Sequence, residues 1–191
     1  WLGPGELISH YGTKEQKDYY LPRLAKGDEI PCFGLTEPEA GSDATSIRTT
    51  GYLKKDKNGD TRIHIPKIDK RYITLAPVAT LLGLAFQLKD PDNILGRGED
   101  VGITLALIER DTKGLEVGNR LRPMDIPFQN GTIRGNIEIP VSSVIGGESG
   151  LGHGWRMLME ALSIGRSISL PAVSVARSEE HTSELQSRMF I

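Results

Sequence analysis

Residues 32–43 read Cys-Phe-Gly-Leu-Thr-Glu-Pro-Glu-Ala-Gly-Ser-Asp. Cys32 to Leu35 have the composition of a strand, and the following Pro38 and Gly41 break it into a turn rich in hydroxyls and small side chains. Thr36 and Ser42 offer donors, and Gly41 lets a ligand come close to the backbone. Successive turn amides can form a concavity for an anion such as pyrophosphate. A plainer reading, an Asx or Ser/Thr turn capping a strand, satisfies the same residues. The sequence contains no G-x-x-x-x-G-K-[ST] loop and no G-x-G-x-x-G fingerprint, so neither of those phosphate sites is supported.

Outward from this stretch the texture on either side differs. On the N-terminal side, Gln16, Tyr19, Tyr20, Leu21 and Leu24 set a helical stripe over Thr13 to Ala25, with Thr13 as N-cap, Gly27 past the end and Pro22 weakening the last turn. On the C-terminal side, short β-prone runs alternate with turns: Arg62 to Ile65, Arg71 to Thr74, Val78 to Leu88, Ile103 to Ile108, Leu115 to Gly118 and Ile133 to Ile139. Lys57-Asn58-Gly59-Asp60 reads as a hairpin turn, and Asp90-Pro91-Asp92-Asn93 as a second turn. Many short strands with regular turns predict a barrel or sandwich rather than a parallel α/β sheet. The Gly-rich run Gly146 to Gly154 reads mainly as a hinge, after which Trp155, Leu158, Met159, Leu162 and Ile164 return to helical spacing, with a kink expected at Pro171. The fold class expected is therefore α+β. An all-β barrel or sandwich of about 110 residues, large enough for its own core, is flanked by helical segments.

Composition narrows the function classes. The 191 residues carry 23 Lys and Arg against 25 Asp and Glu, with no basic cluster, so no footprint for nucleic acid is present. One cysteine, Cys32, excludes an internal disulfide and a multi-cysteine metal site, and it reads as a small buried hydrophobe rather than a nucleophile. His10, His64 and His153 lack ligand spacing, so no metal site is expected. Asp43 and Asp125 read as turn residues, and Glu160 as an exposed helix position. The longest uncharged apolar stretch, Ile73 to Phe86, is interrupted by Pro77 and falls short of the roughly 20 residues a spanning helix needs. The chain begins at Trp1 without Met and reads as an interior piece of something longer. Residues 177–191 break from the preceding pattern, resemble a translated sequencing adapter and are expected to be a non-native tail.

The run Pro31 to Asp43, the segment Lys70-Arg71-Tyr72-Ile73-Thr74, the edge from Ile139-Pro140 to Ile145-Gly146 and the helix opening Gly152-x-Gly154-Trp155 together resemble the acyl-CoA dehydrogenase family. Cys32-Phe33-Gly34, Arg71 to Val78 and Trp155 to Glu160 are most similar to its large bacterial fatty-acyl-CoA branch. The resemblance covers residues 2–176 in order. It implies the end of an N-terminal helical domain over 1–30, a flavin-binding middle β domain over 31–147 and the start of a C-terminal helical bundle over 148–176.

The resemblance also implies roles. Phe33 to Ser42, with Leu35 and Gly41 among them, would run along FAD, Thr36 bonding the isoalloxazine edge and Ser42 lying near the pyrophosphate and the bound thioester. Tyr72, Ile73 and Thr74 would form a second flavin strand, the ring covering the isoalloxazine and the Thr74 hydroxyl reaching toward N5. Many relatives have Trp at the position of Tyr72 and Gly at that of Glu39. Arg166 matches an arginine near the substrate in relatives, where Asp stands at the position of Ser163. The implied activity is oxidation of fatty acyl-CoA to trans-2-enoyl-CoA in β-oxidation, with electron-transfer flavoprotein as acceptor, in a homo-oligomer in the bacterial cytoplasm or peripheral to the inner membrane. The family's glutamate base corresponds to no residue here, so the isolated chain is expected to be inactive. An acyl-CoA oxidase or flavin monooxygenase on the same scaffold, or a non-catalytic nucleotide- or acyl-CoA-binding module, are the competing readings.

Overall fold

Thr13 caps a helix in the way its sequence predicts. Its hydroxyl accepts from the Gln16 amide while the Gln16 side chain accepts from the Thr13 amide, and Gly27 closes the other end in the left-handed region at φ 81°. The computed structural model describes residues 3–164, 167, 168 and 171–179. Within them this helix, α2 (Lys14–Lys26), follows a shorter one, α1 (Gly3–Tyr11), that the Gly- and Pro-containing sequence does not announce. Gln16 does more than cap. Its Nε2 donates to the carbonyls of Ser142 and Val144 at 2.9 and 2.7 Å, and its Oε1 also accepts from the Gly146 amide at 3.1 Å. Gln16→Ala is expected to lower unfolding stability by about 2–3 kcal/mol in urea titration, because it removes a cap and orphans backbone groups that are partly buried.

The β region is one sheet of seven strands: β1 (Pro31–Gly34), β2 (Thr50–Lys55), β3 (Thr61–Thr74), β4 (Leu81–Lys89), β5 (Asp100–Glu109), β6 (Leu115–Val117) and β7 (Asn130–Pro140). The order is β1-β4-β2-β3-β7-β6, with β5 on the other side of β4. The expected hairpin turn joins β2 to β3 with Gly59 at φ 86°. Two expectations are corrected. The pieces Arg62 to Ile65 and Arg71 to Thr74 belong to one long β3, which absorbs Pro66 at a register shift between Ile65 and Ile68. The strand expected from Val78 begins only at Leu81, because Leu75 takes φ 67° and a 3-10 turn over Ala76–Val78 reverses the chain first.

The sheet is mixed rather than purely antiparallel. Both β1 and β2 lie parallel to β4 along one edge, β1 against Leu81–Leu84 and β2 against Gln87–Lys89. Chain between them, residues 35–49, must therefore leave the sheet. The first part of β3 pairs with β2, and the second part runs on beyond β2's end, beside β1, with no ladder to it among the described residues.

Alternation along β4 and β5 builds two cores. Leu82, Leu84, Phe86, Leu88, Ala106 and Ile108 face the concave interior with Ile63, Ile65, Ile133, Ile137 and Ile139. Leu81, Ala85, Ile103, Leu105 and Leu107 face the other side, against Leu7 and Ile8 of α1 and Met157, Leu158 and Ala161 of α3 (Gly154–Ile164). Burial on both faces is why β4 and β5 read as unbroken apolar runs. Among the described side chains of α3, Met157, Leu158 and Ala161 are buried, whereas Met159, expected in the stripe, is 38% exposed; the side chains of Leu162 and Ile164, also expected there, lie outside those described. Residues 171–179 are helical and exposed; 177–179 of the expected tail continue that helix, and 180–191 lie outside the described residues. No helix among the described residues is long and apolar enough to cross a membrane.

Candidate functional site

The detour after β1 is held by a turn in which the amides of Glu37 and Ala40 each donate to the other's carbonyl, at 3.1 and 3.2 Å. Beyond it, Asp43 accepts from the Thr45 amide at 3.0 Å, from the Thr45 hydroxyl and from the Ser46 hydroxyl, so the Asx turn of the plainer reading exists. These hydrogen bonds hold the Asp43 carboxyl below its ordinary pKa. Asp43 is thus occupied in the turn. Gly41 and Ser42, between these two devices, are exposed, and a Cβ added at Gly41 would meet nothing within 4 Å.

The second segment is shaped by a bulge. Lys70 pairs with Ile133 and Ile73 with Gly131, so β3 has one residue more than β7 over this interval. Tyr72 takes up the excess at φ 59°, a conformation that is costly for a bulky residue and is kept only where surroundings impose it. Its ring is 49% exposed and the Arg71 guanidinium lies 4.9 Å from the ring centroid. Ile73 is 3% exposed and faces the interior core, so only its backbone is available to a ligand, whereas Thr74 is exposed. Asn130, the ladder partner of Thr74, has a buried side-chain oxygen without a hydrogen-bond partner.

The two segments meet. The Arg71 amide donates to the Thr36 carbonyl at 3.0 Å. Beneath that contact Lys70, fully buried, donates through Nζ to Glu37 Oε1 at 2.6 Å and to the Leu35 carbonyl at 3.1 Å. Glu37 also accepts from the amides of Arg48 at 2.6 Å and Thr49 at 3.1 Å. Burial pushes the Glu37 carboxyl upward, but the bond from Lys70 and those from the 48–49 segment outweigh it, and its pKa lies below the ordinary value. Burial also pulls the Lys70 ammonium down, and Glu37 offsets this only in part.

Sequence reasoning missed this pair. Its signal is local: Lys70 shares a face with the buried Ile68 two residues before it, between two register shifts that switch the inward parity, and a lysine at an inward position demands a buried carboxylate.

Of the expected site residues, Leu35, Thr36, Gly41 and Ser42 come to one side of this junction and Tyr72, Ile73 and Thr74 to the other. Phe33 lies two residues before Leu35, its ring over Gly83, where an added Cβ would stand 2.5 Å from it. Arg166 lies outside the described residues. Glu160 is exposed and bound to the Tyr11 hydroxyl and, at 2.7 Å, to Arg156, and its pKa is held down by Tyr11 foremost, the reverse of a base tuned upward. Cys32 is fully buried, and burial pushes its thiol up to about 12, which suits a packed hydrophobe. A cavity of about 310 Å³ opens at the foot of the Glu37–Ala40 turn, lined by Pro38, Arg48, Tyr52 and Lys67 among others, and includes none of the expected site residues.

A curled mixed sheet with helices packed on one face, and with two backbone segments joined where β1 ends, defines a β domain of mixed topology. The chain belongs to the acyl-CoA dehydrogenase family: residues 32–132 match the family model for the acyl-CoA dehydrogenase middle domain. It is 36% identical over 174 residues, 90% of its length, to acyl-CoA dehydrogenase of Bacillus subtilis, and 50% identical over 91 residues, 47% of its length, to Protein HemX of Proteus mirabilis. It superposes on a glutaryl-CoA dehydrogenase of Mycobacterium smegmatis in complex with FADH2 with a TM-score of 0.63 at 30% identity, over 81% of this chain and 36% of that one. The chain spans 42% of the Bacillus protein and 54% of the Proteus protein.

Proposed function

We propose that this chain supplies one wall of the flavin site of an FAD-dependent acyl-CoA dehydrogenase. The observation that carries the reading is the junction of the two segments through Arg71 and Thr36, with the Tyr72 ring turned outward beside it. The residues fit the group. An open face at Gly41 admits a ligand against the backbone, the exposed Ser42 and Thr74 carry hydroxyls able to bond one, and a large amphipathic ring at Tyr72 can stack on an isoalloxazine. The glutaryl-CoA dehydrogenase it resembles was solved with FADH2, which supports the same cofactor here.

When bound, FAD would accept the β-hydrogen of an acyl thioester as hydride while a base takes the α-proton. In this reading Thr36 and Thr74 would hydrogen-bond the flavin, Tyr72 would stack on it, and Ser42 and Arg166 would serve the substrate. The division into 1–30, 31–147 and 148–176 stands as part of the proposal, as do a fatty acyl-CoA substrate, a β-oxidation role, electron-transfer flavoprotein as acceptor, a cytoplasmic site and homo-oligomeric assembly. No carboxylate among the described residues is placed as the base, so the 191-residue chain alone is proposed to bind without turnover.

Fluorescence titration of FAD with the purified chain tests the reading. Saturable quenching is expected, weakened about tenfold in Thr36→Val and in Tyr72→Ala, one lost hydrogen bond or stacked ring being worth roughly 1.4 kcal/mol. No acyl-CoA-dependent dye reduction is expected. Absence of saturable binding, or indifference to both substitutions, would sink the proposal.

A further inference from the structure

We infer that the buried Glu37–Lys70 pair is a positioning device that fixes the spacing between the Thr36 segment and the Tyr72–Thr74 strand. The inference rests on the flavin reading above and deepens it. Its basis is the sheet topology. Because β1 and β2 share one edge of β4, the end of β1 and the second part of β3 lie side by side with no ladder between them. Adjacent strands without a ladder leave backbone groups to be satisfied by something else. The side-chain pair does this for the Leu35 carbonyl, through Lys70, and through Glu37 it also binds the Arg48 and Thr49 amides of the chain entering β2.

The pair therefore joins three backbone stretches, one residue from Thr36 and two from Tyr72. An apolar pair could fill the same volume, but it offers no direction. Charge-assisted hydrogen bonds fix distance and angle, and burial in a low dielectric keeps alternatives costly. Thr36 and Tyr72 must both border one planar ring, so a shift of the detour relative to β3 would disengage one of them.

The test separates positioning from stability. Buried ion pairs are often replaceable by neutral residues without loss of stability, whereas breaking one partner is severe. The single variants Glu37→Gln and Lys70→Met and the double variant Glu37→Gln/Lys70→Met are compared with the parent chain by thermal unfolding, FAD titration, the flavin absorption envelope and amide hydrogen exchange. In the double variant the unfolding midpoint is expected to return most of the way to the parent's. FAD affinity remains about tenfold weaker, as expected for one or two misplaced hydrogen bonds. Its visible band is expected to lose vibrational structure, and exchange to accelerate over 35–41 and 70–73 while β4 and β5 keep their protection. FAD binding and exchange that recover together with the midpoint would overturn the inference, as would exchange that rises evenly over the sheet. If the parent itself takes up no FAD, that result counts against the flavin reading, and the exchange pattern alone decides the positioning role.

Discussion

Glu37→Gln is expected to destabilise the chain by about 3–5 kcal/mol at neutral pH, because it leaves the Lys70 ammonium in the interior without its counter-charge. Lys70 is fully buried and, apart from Glu37, donates only to the Leu35 carbonyl among the hydrogen bonds of the described residues. The loss should depend on pH with a defined sign. The Glu37 pKa lies below its ordinary value, so in the parent its stabilising share is fully present above the unfolded-state pKa of about 4.3 and disappears as pH falls through the lower folded-state value. The parent-to-variant difference should therefore shrink in acid as Glu37 protonates. Guanidinium unfolding at stepped pH measures this. A difference that grows in acid, or a loss below 1 kcal/mol at neutral pH, would show that Lys70 is not held as a buried cation.

Phe86→Ala is expected to cost a similar amount, about 3–5 kcal/mol, the usual range for emptying a buried phenylalanine site. The ring is fully buried in the interior core and lies directly under β2, where a Cβ added at Gly51 would stand 2.7 Å from it and 3.0 Å from Ile63. Gly51 is thus a packing choice: the strand gives up a side chain so that the ring can occupy the space. The reciprocal change, Gly51→Ala, should cost about 1–3 kcal/mol through overpacking. Combined with Phe86→Leu, it should cost less than the sum of the two, since both act on one volume. Additive losses in urea titration would show that ring and glycine do not share the space.

What the sequence made legible here was local. Thr13, Gln16 and Gly27 announce α2 because a cap is a contact across three or four residues, and Asn58-Gly59 announces its turn for the same reason. β4 and β5 are visible as apolar runs. β2 is not, because its inward positions are Gly51 and Leu53, and one apolar side chain makes no alternating pattern. Pro66 divides β3 on paper, whereas in the fold a bulge removes its conflict with the ladder. For the site, the motif carried by Thr36, Gly41 and Ser42 and the strand carried by Tyr72 and Thr74 are readable as separate stretches. That they touch depends on two parallel strands sharing one edge of β4, a relation between distant residues that no window of sequence contains. Gln16 as a latch and Lys70 as an inward cation were missed on the same ground: their partners lie at Ser142 and Val144, and at Glu37.

The shared edge also sets an order of assembly. β4 and β5 form an antiparallel hairpin from neighbouring chain, and local pairings of this kind close quickly. β2 closes a hairpin of the same kind with β3, but β1 has no such neighbour, since Pro31 pairs with Leu81. As the chain emerges from the ribosome, β1 has no edge to join until β4 has been made. Until then it is exposed, with Cys32 in solvent. That delay is a window in which chaperones, or other nascent copies, compete for the strand.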